Sequence, residues 1–108
     1  MSKYLIEGTY TAEGAKGLLK QGGTSRRAQI EAMLKGLGGS LEAFYWAFGA
    51  TDFYIIADMP DKATAAAVGL TVSGAGAVHT RTTVLLTPEE IDQARGKTVD
   101  YKLPGASS

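Results

Sequence analysis

The one histidine of this chain, His79, stands in the run Val78-His79-Thr80-Arg81-Thr82-Thr83, whose alternation puts His79, Arg81 and Thr83 on one face of a strand. An imidazole titrates near neutrality, so at a pocket wall it can take a proton from a substrate or orient a ligand. Asp52 opens a β-prone run directly after Gly49-Ala50-Thr51 and offers a carboxylate that can pair with Arg81 or act as a base. It can equally hydrogen-bond the backbone of its own turn, as aspartates in such places do. His79, Asp52 and Arg81 are therefore the candidate catalytic residues, with a half-buried strand histidine and a turn aspartate as the alternative. The chain has no cysteine and no second histidine, so a metal site is not expected.

A second constellation is Gly22-Gly23-Thr24-Ser25-Arg26-Arg27. Two arginines near the start of a helix oppose its macrodipole, and an anion would give them a reason to be there. Thr24, Ser25, Arg26 and Arg27 are the anion-binding candidates, with hydroxyls, backbone N–H groups and guanidinium forks suited to a phosphate or carboxylate. The spacing is not that of a P-loop. A solvated basic loop, or arginines reaching a neighbouring subunit's acids, is the other reading. Gly74-Ala75-Gly76 lacks the third glycine of a dinucleotide fingerprint and runs from helix to strand, the reverse of the required order. That fingerprint is rejected and no cofactor is expected; with no Gly-x-Ser-x-Gly elbow either, a lone histidine leaves little for a nucleophilic triad. Phe44, Tyr45, Trp46, Phe48 and Tyr54 can stack a flat ligand, but aromatics so grouped more often form a core or a subunit interface, and they are the dimer-interface candidates.

The elements that must position these residues follow from periodicity and punctuation. Lys3 to Thr11 alternates as a first strand, with Tyr4, Ile6, Gly8 and Tyr10 on one face. A helix is predicted from Thr11 to Leu19 or Lys20, broken by Gly22-Gly23. A second helical piece is capped by Thr24 or Ser25 and carries Ile30, Met33, Leu34 and Leu37 on one face. Leu41 to Phe48 and Asp52 to Met59 read as a hairpin. Asp61 caps a helix with Ala63, Ala66, Ala67 and Leu70 as a stripe of small residues against a sheet, and Val78 to Leu86 forms the last strand. Thr87-Pro88-Glu89-Glu90 is a capping box opening a short helix with Ile91 and Ala94. The order βαββαβ with a terminal helix is that of a ferredoxin-like α+β fold with an antiparallel sheet.

Composition bounds what such a fold can serve. The 108 residues suit one domain, read as 1–95 with a polar tail at 96–108 that is loose unless a neighbour holds it. Eleven basic residues balance eleven acidic ones, which leaves no electrostatic footprint for nucleic acid or an anionic membrane. Neither a leader segment nor a membrane span is read, and the lack of cysteine fits a cytoplasmic address. Apolar residues on both faces of the sheet call for a second copy, so a homodimer or a ring of dimers is expected, with sheets packed face to face.

At this point the chain resembles the GYD-domain proteins, a small bacterial family placed among the dimeric α+β barrels. The resemblance rests on Lys3-Tyr4-Leu5-Ile6 with Tyr10-Thr11-x-x-Gly14, on Gly49-x-x-Asp52 followed by an apolar strand and Met59-Pro60-Asp61, and on Thr82-Thr83-Val84-Leu85 leading to Glu89-Glu90. Thr51 stands where the family's name-giving tyrosine would precede the aspartate. The resemblance implies the fold and a dimer, and assigns no activity. The expectation is a non-enzymatic homo-oligomeric α+β barrel protein binding a small metabolite. The alternatives are a cofactor-free monooxygenase- or isomerase-like enzyme around His79, Asp52 and Arg81, and a module that serves only assembly.

Overall fold

The computed structural model describes residues 1–107. Strand β1 (Ser2–Tyr10) lies at the centre of a four-stranded antiparallel sheet with β2 (Ser40–Trp46), β3 (Phe53–Met59) and β4 (Val78–Leu85), in the order β2-β3-β1-β4. Helices α1 (Ala12–Gln21), α2 (Gly23–Gly36), α3 (Lys62–Ala75) and α4 (Pro88–Arg95) complete the α+β, ferredoxin-like arrangement that the element order implies.

Strand alternation divides the sheet. Tyr4, Ile6, Phe44, Phe53, Ile55, Ala57, Met59 and Val78 face the helices and form one core with Ile30 and Leu34 of α2 and Ala65 and Val68 of α3. Gly8, opposite Phe53 on the neighbouring strand, is glycine for want of room: a Cβ there would sit 1.9 Å from the Phe53 ring. The other sheet face has no helix over it. It reads in cross-strand rows: Asp58, Lys3 and Leu85; then Ala43, Ile56, Leu5 and Thr83; then Tyr45, Tyr54, Glu7 and Arg81; then Thr9 and His79.

Two expectations about the helices need correction. Neither Thr24 nor Ser25 caps α2; Gly22 does, with φ of 85° and no side-chain bond, so the chain turns from one helix into the next on one residue. In α3 the buried residues are Ala65 and Val68, with Val72 packed beside them, while Ala63, Ala66, Ala67 and Leu70 face outward. The helix is apolar all round, so its period could not select a face, and valines fill the space over the sheet better than alanines do. Its cap is as expected: Asp61 accepts the Thr64 N–H at 2.7 Å, a bond that holds its carboxyl below the usual carboxylate range.

Helix α4 begins with the full capping box, Thr87 accepting from Glu90 N–H at 3.2 Å and Glu90 Oε1 accepting from Thr87 N–H at 3.0 Å. None of its residues is buried, and every residue from Ile91 to Ser107 is exposed. The dimensions reflect this, at 61 × 30 × 23 Å with a radius of gyration of 17.6 Å, where a compact domain of this length has about 13 Å. The surface is 7527 Å², against roughly 5,700 Å² for a compact monomer of this mass.

Candidate functional site

Arg26 is the only charged residue bordering an apolar cleft between α2 and α3, floored by Ile6, Ile55 and Val78 and walled by Ile30, Met33 and Val68. Its placement follows from helical spacing. Arg26 precedes the buried Ile30 by four residues and Met33 by seven, so all three lie along the face that α2 turns inward. The cleft encloses about 40 Å³ of solvent-accessible space. Arg26 also borders an adjoining depression of about 150 Å³ with Tyr10, Glu13, Gln21 and Ala77. Arg26 is half-buried as a residue, and its guanidinium donates from Nη1 to Oε1 of the exposed Gln29 at 3.2 Å, while among the described residues no carboxylate lies within 4.0 Å of it. The remaining anion candidates do not join it. Thr24 and Arg27 are exposed, and Ser25 Oγ accepts from Gln21 Nε2 at 3.3 Å.

His79 and Arg81 do come together, on the uncovered sheet face, in a depression of about 310 Å³ with Glu7, Thr9, Ala50 and the buried Thr51. Arg81 Nη2 lies 3.6 Å from Glu7 Oε1 with most of its side chain in water, so that pair contributes little. Asp52 is not with them. Its Oδ2 accepts the Tyr10 N–H at 2.8 Å, its own N–H donates to Gly8 O at 2.8 Å, and its carbonyl accepts from Ala47 N–H at 2.9 Å. The aspartate thus joins the start of β3 to the end of β1 and closes the β2–β3 connection. Asp52→Ala should lower stability by about 2 kcal/mol, the contribution of a hydrogen bond to a charged acceptor. Urea unfolding should show a lower midpoint at unchanged slope.

The aromatic run divides between faces. Phe44 is buried and stacks on Trp46 at 4.2 Å on the helix side, and Trp46 Nε1 donates to Tyr10 Oη at 3.0 Å. Phe44 belongs to the chain's own core and the partly buried Trp46 packs against it, because their alternation coincides with the buried face of β3. Phe48 has left the sheet and is fully exposed, and Tyr45 and Tyr54 sit opposite one another on the uncovered face.

One cluster escaped the sequence. Lys3 Nζ lies 2.6 Å from Glu42 Oε1 and 3.1 Å from Asp58 Oδ1 at one end of the uncovered face. The hydrogen bonds to Glu42 and then Asp58 hold its ammonium above the ordinary lysine range. The partners are 39 and 55 residues away, so only strand register could have joined them.

No helix among the described residues is long and apolar enough to cross a membrane. The family model for the GYD domain matches residues 4–94. Searches among curated proteins and among solved structures found no match.

Proposed function

The chain belongs to the GYD-domain family, and from that premise we propose that it is a homo-oligomeric, non-enzymatic α+β protein of the cytoplasm that binds a small, mainly apolar molecule bearing one anionic group. The observation that carries the reading is Arg26, with no carboxylate among the described residues within 4.0 Å, at the border of a mainly apolar cleft whose other polar lining residues are Thr80 and Thr82. A guanidinium without a counter-ion forms short charge-assisted bonds to any carboxylate or phosphate that reaches it. The narrow, mainly apolar cleft suits a short alkyl chain. Self-association is supported by the uncovered sheet face, where Leu5, Ile56, Tyr54 and Tyr45 form an apolar band suited to aligned sheet packing.

The enzyme alternative required Asp52 beside His79 and Arg81, and the bond from Tyr10 N–H keeps that carboxylate elsewhere. Binding is therefore the better reading.

Titration with butanoate and with 1-butanol, followed by methyl NMR, tests it. Butanoate should shift the methyls of Ile30, Met33 and Val68 and bind at least about tenfold more tightly than the alcohol, the contribution of one charge-assisted bond. Arg26→Gln should erase the difference. Equal affinity for acid and alcohol, or shifts elsewhere on the protein, would refute the assignment.

A further inference from the structure

We propose that the C-terminal arm, from Leu86 through α4 to Leu103, is an intermolecular clasp that leaves its own domain and packs on a second copy of the chain. The proposal rests on the self-association argued above and names the segment that makes it stable.

The arm has a folded start. A capping box with proline at N1 defines α4 locally, yet the helix buries no residue against its own domain. A helix of eight residues is too short to persist in water on its own propensity, so it needs a surface to pack on. The arm also carries residues that such a surface would cover. Leu86, Ile91, Val99, Tyr101 and Leu103 are between 51% and 78% exposed, spaced along a segment that is otherwise polar. A lone apolar residue in water is ordinary, but five on one projecting segment are not.

The areas point to a second copy as the surface. A stable interface takes about 800 Å² of accessible surface from each partner. The 7527 Å² surface exceeds that of a compact monomer by roughly 1,800 Å², more than one partner's share of such an interface, and every residue of the arm from Ile91 to Ser107 is exposed. That excess suits a two-fold pair in which each copy embraces the other.

The lack of cysteine makes the test direct. Gln93→Cys, exposed on α4, provides a single thiol for a nitroxide label. Spin-labelled chain without isotope is mixed with unmodified chain enriched in nitrogen-15, and the sample is sized by sedimentation. The clasp predicts a dimer in which one contiguous patch of the enriched copy loses its amide signals. The exposed triple variant Ile91→Ser, Tyr101→Ser, Leu103→Ser should raise the dimer dissociation constant about a hundredfold with the circular dichroism of the domain unchanged. A dimer whose enriched copy keeps all its signals, or a triple variant that dimerises as tightly as the original, overturns the clasp and leaves self-association standing. A monomer overturns both.

Discussion

Gly14→Ala should destabilise the domain by about 3 kcal/mol, lowering the melting temperature by roughly 15 °C. A Cβ at this position would lie 2.0 Å from Ala77 O and 2.9 Å from Ala77 C, both backbone atoms. That carbonyl cannot retreat, because it accepts the Thr11 N–H at 3.0 Å and the Thr11 hydroxyl at 3.2 Å, while Val78 behind it is buried in the core. Thr11 in turn caps α1 by accepting the Gly14 N–H at 3.2 Å, so helix and strand meet at one junction and move together or not at all. The same substitution at Gly17, one turn on, meets nothing within 4 Å. Gly17→Ala should gain about 0.5 to 1 kcal/mol from helix propensity and reduced freedom of the unfolded chain. Opposite signs in parallel urea titrations would verify the close approach; a similar response of both variants would show that the junction yields.

If the chain self-associates through its uncovered sheet face as proposed, Ile56→Asp should convert that oligomer to monomer, with the dissociation constant raised at least a thousandfold. Ile56 lies in the middle row of the uncovered face, between Ala43 and Leu5. In a two-fold pair each substitution occurs twice, and each carboxylate would be buried without a partner at a cost of several kcal/mol. In the single domain the side chain is only half-buried, so the fold should survive. Sedimentation equilibrium reads the mass and circular dichroism the fold. A mass equal to that of the unsubstituted protein would sink the sheet-to-sheet arrangement. Trp46 cannot serve for this test, because its ring packs against the domain core.

The order of elements was legible because each boundary has a local chemical cause. Gly22-Gly23 divides α1 from α2, Asp61 caps α3, and Thr87 to Glu90 forms a capping box within four residues. Which face of an element turns inward was legible only where the two faces differ. In β1, Tyr4 and Ile6 against Lys3 and Glu7 left little choice; in α3, alanines, valines and Leu70 surround the axis, and packing decided. The same ambiguity assigned Phe44 and Trp46 to an interface when register gives them to the core.

The site was harder to read for a related reason. His79 and Arg81 share a face through strand alternation alone, so their proximity follows from the sequence. Asp52 was open to two readings, a pocket carboxylate or a backbone-bonding turn residue, and it is the second, although the backbone it holds is that of Tyr10, 42 residues away. Arg26 was singled out among four neighbours without a signal to separate it. Its distinction is the spacing to Ile30 and Met33, which becomes informative once α2 is known to lean over the sheet.

The ion cluster at Lys3 gives the uncovered face a direction. One ammonium stands between two carboxylates there, so that end carries a surplus negative charge. At the other end Arg81 offsets Glu7 beside His79. Two copies laid face to face with their strands running the same way would stack surplus charge on surplus charge. Turned end for end, each acidic corner meets the neutral one. Were two copies to pack through this face, repulsion of like charges would select between the two superpositions.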